Sequence, residues 1–220
     1  MDFNNMKITW YGLSCVYLEG GCARVLMDPY DKSCGGYVLP PLPADIYTVS
    51  HEHYDHNYCE AVSNDDAVRA RYGMIEKDVR ISSVHTWHDR VHGKDWGPNE
   101  VFILDMDGRR IAHLGDLGQE LDCAQLAALG HVDMLFIPIG GIYTIDAFAA
   151  AKVTCAVNAR LTFPIHYYTP HLEGADFDLE PGLDEFIRES GREAVRFDRN
   201  WICTDSDQLP DGSIIVLHLD

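Results

Sequence analysis

The sequence lacks a long apolar run, paired cysteines and an ample supply of cations, and each absence removes a class of protein. A membrane helix needs about 18 uninterrupted apolar residues. The most apolar stretch, residues 132–151, is broken by Asp133, Asp146 and the Gly140-Gly141 pair. The cysteines number seven, an odd count without one CxxC pair, which argues against both a disulfide framework and a zinc ribbon. Lys and Arg total 17 against 35 Asp and Glu, a net charge of −18. Such a surface repels nucleic-acid phosphates and anionic lipid, so neither nucleic acid nor membrane is an expected partner. The opening residues have no basic region followed by an apolar one, so no secretory signal is expected. A reduced, soluble, cytoplasmic protein is the expectation. Also absent are a phosphate-cradling Gly-x4-Gly-Lys, a Gly-x-Gly-x-x-Gly and a Gly-x-Ser-x-Gly elbow, which leaves nucleotide-loop enzymes and serine hydrolases unsupported.

What is present is ordinary globular material: 220 residues, 46 % hydrophobic and 24 % charged. That length points to one domain, 1–220, with a core of its own. Short runs rich in β-branched and aromatic residues predict strands at 7–11, 15–18, 24–27, 46–50, 79–87, 100–106, 110–114, 134–139, 160–165, 194–197 and 213–218. Gly20-Gly21 and Asp107-Gly108 read as hairpin turns. Helical spacing predicts helices at 119–129, at 146–157 after an N-cap at Thr144, at 183–189, and at 62–72. Hairpins first and strand–helix alternation later predict a mixed α/β layered fold. Residues 172–220 carry no motif that points to chemistry.

The chemistry concentrates in Ser50-His51-Glu52-His53-Tyr54-Asp55-His56, four candidate ligands directly after a predicted strand. In a locally extended chain His51, His53 and Asp55 point to one side and His56 to the other. Such a loop can serve two metal ions a short bridge apart. Imidazole and carboxylate without thiolate suit zinc, manganese, iron or nickel. A helical His-Glu-x-x-His site is excluded, because Asp55 stands where the second histidine would be. His88, Asp116 and His166 each fall just past the carboxyl end of another predicted strand. That edge is where ligand sites assemble in α/β sheets.

The ordered set His51, His53, Asp55, His56, His88, Asp116, His166 resembles that of the metallo-β-lactamase superfamily. Trp87-His88-Asp89, the segment from Ala112 to Gly118, the segment from Pro138 to Thr144, and Pro164-Ile165-His166-Tyr167 look like the branch of small hydrolases related to ascorbate-6-phosphate lactonase. The likeness runs from about residue 7 to residue 170. It implies a four-layer αβ/βα sandwich with two divalent ions at one edge, zinc first and manganese, iron or nickel as the others. It also implies that one ion takes His51, His53 and His88, that the other takes Asp55, His56 and His166, and that Asp116 bridges them. Asp55 and Asp116 are then the expected catalytic carboxylates, Asp28 the residue orienting a ligand histidine, and a hydroxide bridging the ions the nucleophile.

The activity so implied is hydrolysis of a small molecule, with a carbohydrate-like lactone, phosphorylated or not, the most concrete substrate. Phosphodiester or nuclease chemistry at the same site and a non-catalytic metal-binding module are the rivals. A homo-oligomer is expected on base rates alone. Outside the set, His113 reads as a hydrogen-bonded neighbour of the centre and His85 as a surface or cleft residue. His92, His131, His171 and His218 read as surface or loop histidines. Asn99 is expected to fix a turn, Cys59 to pack as a small hydrophobe, and Tyr143, Tyr167 and Tyr168 to flank the site or the core.

Overall fold

The computed structural model describes residues 5–31, 34, 36–172 and 179–219. Its strands are β1 (Lys7–Trp10), β2 (Val16–Glu19), β3 (Arg24–Met27), β4 (Ile46–Thr48), β5 (Val68–Arg69), β6 (Ile75–Glu76), β7 (Val79–Trp87), β8 (Pro98–Met106), β9 (Arg109–His113), β10 (Met134–Pro138), β11 (Leu161–Ile165), β12 (Ala194–Phe197), β13 (Trp201–Cys203) and β14 (Ser213–Leu217). Three α-helices, α1 (Cys123–Leu129), α2 (Ala147–Val157) and α3 (Leu183–Ser190), fall among the later strands. The strands form a six-stranded sheet, β13-β1-β2-β3-β4-β5, and an eight-stranded sheet, β12-β14-β11-β10-β9-β8-β7-β6. Both sheets are mixed, as the predicted α/β class requires. The smaller begins as an antiparallel meander and continues in parallel from β3 to β5. The larger is antiparallel from β6 to β9 and parallel from β9 to β12.

Period-two alternation sorts the meander's side chains between two apolar clusters. Val16, Leu18, Val25 and Met27 join the main core with Ile103, Phe136 and Phe163. Tyr17 and Leu26, between them in sequence, join a second cluster with Tyr30 and Tyr37. Phe136 and Phe163 are register partners on β10 and β11 and stack at 4.7 Å, a pairing that contributes about 1 kcal/mol beyond burial. β14 enters the larger sheet between β11 and β12, and β13 closes the smaller sheet beside β1. The motif-poor C-terminal region therefore supplies strands to both sheets. Among the described residues no helix is long and apolar enough to cross a membrane.

Three local predictions give way. Residues 62–72 are not helical: the Asn64 side chain bonds both backbone groups of Ala44, and Val68–Arg69 pairs in parallel with Ile46–Tyr47. Ser63, Asn64, Asp65 and Asp66 favour such turns, and the open edge of β4 favours a strand. The second helix is capped by Asp146 rather than Thr144, because the Asp146 carboxylate accepts from Ala149 N at 2.8 Å. A carboxylate there also meets the positive end of the helix dipole. The first helix likewise begins later than its spacing suggests, at a capping box of Asp122 and Gln125.

Candidate metal centre

β7 and β9 both run antiparallel to β8, so their carboxyl ends share one edge with those of β10 and β11. β3 and β4 of the facing sheet end at the same place. The segment after β4 carries His51, His53, Asp55 and His56; the ends of β7, β9 and β11 carry His88, Asp116 and His166. All seven meet. Ligand-capable atoms of His51, His53 and His88 lie within 4.8 Å of one another, as do those of Asp55, His56, Asp116 and His166. This is the division the family resemblance implies, and it corrects the extended-chain geometry, which placed Asp55 with His51 and His53. The chain turns after His53, where His56 N donates to His53 O at 2.9 Å, and the turn carries Asp55 across to His56.

Asp116 lies between the groups. Its Oδ2 is 3.1 Å from His56 Nε2, 3.2 Å from His88 Nε2, 3.4 Å from His166 Nε2 and 3.9 Å from His51 Nε2. Two glycines permit this approach. A Cβ at Gly118 would collide with the His88 backbone, and one at Gly115 with Asn99 and Ser50. Gly115 also has φ +54, where a side chain is strained.

Asp28, at the end of β3, is wholly buried and organises the histidines from behind. It accepts from His56 Nδ1 at 2.8 Å, from Ser50 Oγ at 2.5 Å and from Ser50 N at 2.9 Å. Ser50 Oγ, whose O–H donates to Asp28, accepts from His51 Nδ1–H at 3.0 Å. Both imidazoles are thereby fixed as tautomers that offer Nε2 to the centre. Asp28 and His166 hold φ of +45° and +49°, backbone strain of about 1–3 kcal/mol each that clusters at the site.

The donor set suits cations. Nδ1 of His88 and of His166 are buried without a hydrogen-bond partner, and Nε2 of His56 and of His166 meet the Asp116 carboxylate at 3.1 and 3.4 Å without hydrogen-bond alignment. Each such group costs about 1–3 kcal/mol if left so, and those turned toward the carboxylates are what a cation would engage. Burial, with His56 nearby, lowers His51 to about 2, and burial with His88 also lowers His53. Both stay neutral and can donate a lone pair. Burial would raise the Asp116 carboxyl, but His166 and His56 hold it well below the usual range; His56 and His166 do the same for Asp55. Against its own burial, His56 is pushed well above the histidine range by Asp116, Asp55 and Asp28. The carboxylates gather positive charge whether it comes as a proton or a metal.

The residues outside the set fall as follows. His113 is buried, its Nε2 bonding Ser14 O at 2.8 Å and its Nδ1 accepting from Gly115 N at 3.2 Å. It braces the Asp116 turn. His85 pairs with Glu100 at 3.0 Å on the sheet surface. His92, His131, His171, His218 and Cys59 belong to neither group. Tyr167 packs on Trp10 at 5.4 Å, and Tyr143 reaches Trp96 at 5.2 Å. Asn99 fixes no turn of its own: it stands in β8 opposite Thr86, and its side chain bonds Thr86 Oγ1, Leu114 O and Asp116 N. Sequence reading missed Ser50, whose only signal was adjacency to His51, and Ser14, whose Oγ lies 3.4 Å from Asp116 Oδ1. It also missed Trp96, which lies edge-on to His53 at 6.4 Å and 6.1 Å from His88.

A cavity of about 370 Å³ opens beside His88, bounded by Trp96, Gly141, Ile142 and Tyr143. A larger one, about 830 Å³, over Trp10 and Tyr167 includes none of the seven residues.

Comparison with known proteins adds a family to this geometry. A model described as a beta-lactamase superfamily domain matches residues 7–166. A metal-dependent hydrolase of Thermoplasma acidophilum is 31 % identical over 200 residues, covering 78 % of this chain and 88 % of its own. One from Methanospirillum hungatei is 30 % identical over 209 residues, covering 83 % and 90 %. Among solved structures, a candidate Zn-dependent hydrolase of the metallo-β-lactamase superfamily from Thermotoga maritima matches with TM-score 0.77 and 33 % identity, over 98 % of this chain and all of that one.

Proposed function

The chain belongs to the metallo-β-lactamase superfamily, and on that premise we propose that it is a metal-dependent hydrolase of a small molecule, working with two divalent ions. Zinc is the first candidate and manganese the second. The observation that carries this reading is the meeting of four separate strand ends in one buried cluster, where the Nε2 atoms of His56, His88 and His166 face the Asp116 carboxylate.

His51, His53 and His88 are assigned to one ion and Asp55, His56 and His166 to the other, with Asp116 shared. Divalent ions held there supply Lewis acidity, lowering the pKa of water toward neutrality and polarising the oxygen of the bond under attack. The chain's own groups set the stage for that chemistry. Asp28 and Ser50 lock the tautomers of His56 and His51, so no ligand reorients during a cycle. The Asp55 side chain is 14 % exposed where those of Asp116 and Asp28 are at most 2 %. Of these three carboxylates Asp55 is therefore the one most open to solvent. No side-chain nucleophile is required.

The bond class follows from the narrower likeness to lactonase relatives: a lactone, or another carboxylic ester. The test is elemental analysis of the purified protein beside a His51→Ala/Asp116→Ala double variant, followed by a screen of lactones, esters and phosphodiesters. About two transition-metal ions per chain, absent from the double variant, with lactone or ester turnover, is the expected result. Preference for a simple phosphodiester would replace the bond class. Bound metal without turnover of any of them would make the protein a binding module.

A further inference from the structure

The loop that follows His88 is built around one carboxylate. Asp89 is 7 % exposed and accepts four backbone N–H bonds, from Val91 and Gly93 at 2.8 Å and from Asp95 and Trp96 at 2.9 Å. Four donors converging on one carboxylate leave residues 91–96 little freedom. The result is a fixed place for Trp96, an indole 44 % exposed yet in ring contact with His53, His88 and Tyr143. A large apolar ring left so open beside ligand histidines is unfilled contact surface.

The opposite side of the same cavity is equally unusual. Ile142 is 57 % exposed and has φ +45, a left-handed conformation that a β-branched residue adopts only under constraint. Gly141 allows the turn, with Thr144 N bonding Gly141 O at 2.8 Å. Trp96, Ile142 and Tyr143 thus make an apolar rim around a cavity that His88 also lines. The charged lining is Asp89, Asp95, Asp146 and Glu180 against Arg90. Arg90 is paired with Asp146 at 3.2 Å, and that same carboxylate caps α2. Among the described residues the cavity lining offers aromatic and aliphatic contact, net negative charge and no unpaired side-chain cation for a phosphate.

We propose that Trp96, held in place by Asp89, forms with Ile142 and Tyr143 the specificity wall of the substrate site, and that this wall selects an uncharged ester or lactone with an apolar face over a phosphorylated one. The proposal rests on the hydrolase reading and narrows its substrate. Trp96 is the contact residue. Asp89 acts through it, as a positioning residue.

The test uses γ-phenyl-γ-butyrolactone and the phosphate ester of γ-hydroxymethyl-γ-butyrolactone, on wild-type protein and on Trp96→Ala, Trp96→Phe and Asp89→Asn. Stacking on one ring is worth about 1 kcal/mol. In the metal-loaded enzyme Trp96→Ala should therefore lower kcat/KM for the phenyl lactone roughly fivefold to tenfold, almost all of it in KM. Trp96→Phe should keep most of the affinity. Asp89→Asn should raise KM with kcat little changed. A second readout needs no turnover: in metal-free protein the phenyl lactone should quench the emission lost on going from wild type to Trp96→Phe, and the phosphorylated lactone should not. Unchanged KM in Trp96→Ala, or equal turnover of the phosphorylated lactone, would overturn the wall. Quenching without turnover of any lactone or ester would leave the wall standing and remove the hydrolase reading instead.

Discussion

The two donor groups of the candidate metal centre sit against each other, yet they are built on different principles. His51, His53 and His88 form a group of imidazoles alone, with His53 only half-buried and Trp96 beside it. Asp55, His56, Asp116 and His166 bring two carboxylates into a nearly closed space, backed by the buried Asp28. A cation in the second group gains from two carboxylates in a low dielectric, whereas in the first it gains from lone pairs and a share of Asp116 only. The difference teaches an order of assembly: the carboxylate group should fill first and hold tighter, and the imidazole group should face the substrate.

The sharpest way to break that contrast is to remove one direct donor from each half. His166→Ala should abolish tight binding in the second group and with it most activity, whereas His53→Ala should release one ion and keep the other. Metal content after dialysis against graded chelator reads this directly, and equal losses would erase the distinction. Next in size is Asp28→Asn, which leaves every proposed ligand in place but removes the acceptor of His56 Nδ1–H. Partners of this kind are worth about 10–100-fold in metal affinity, and the loss should fall on the carboxylate group.

Proton release comes next. The carboxylates raise His56 against its burial, so a cation entering between them must expel the proton His56 holds. Affinity should therefore weaken as pH falls and strengthen as pH climbs toward the raised pKa. Calorimetry in two buffers of different ionisation enthalpy should return about one proton per chain near pH 7.

The smallest expected effect concerns the rim, not the ligands. Burial would raise Asp89, but four backbone N–H groups hold it down, from an ordinary 3.8 to about 2. A depressed carboxyl contributes stability above its unfolded pKa that is lost as pH falls through its folded one. Asp89→Asn should therefore cost about 2 kcal/mol in urea unfolding at pH 7, and the gap to wild type should close as pH falls from about 4 to about 2.

Much of this was legible along the chain because each ligand follows a short β-branched run. A strand that ends at a sheet's edge delivers whatever residue comes next, so His88, Asp116 and His166 could be placed by the run before them. The 79–87 and 24–27 strands agree with the structure residue for residue, since alternation and turn residues there agree. The 62–72 segment did not yield to the same reasoning. Its helical spacing is real, but Asn64 finds Ala44 and the β4 edge offers hydrogen bonds that a local pattern cannot weigh.

Residue order alone thus determined the donors, their chemistry and the edge they occupy, because those depend on side-chain type and on a period of two. Tertiary structure decided which donors stand together, which carboxylate lies between the groups and what stands over the cavity. The turn at His53 moved Asp55 from one group to the other. Asp28 met His56 and Ser50 only because β3 and β4 pair in parallel. Asp89 fixes Trp96 only through bonds made after the loop has closed. Contacts between segments far apart in sequence carry no local periodicity, so packing had to choose them.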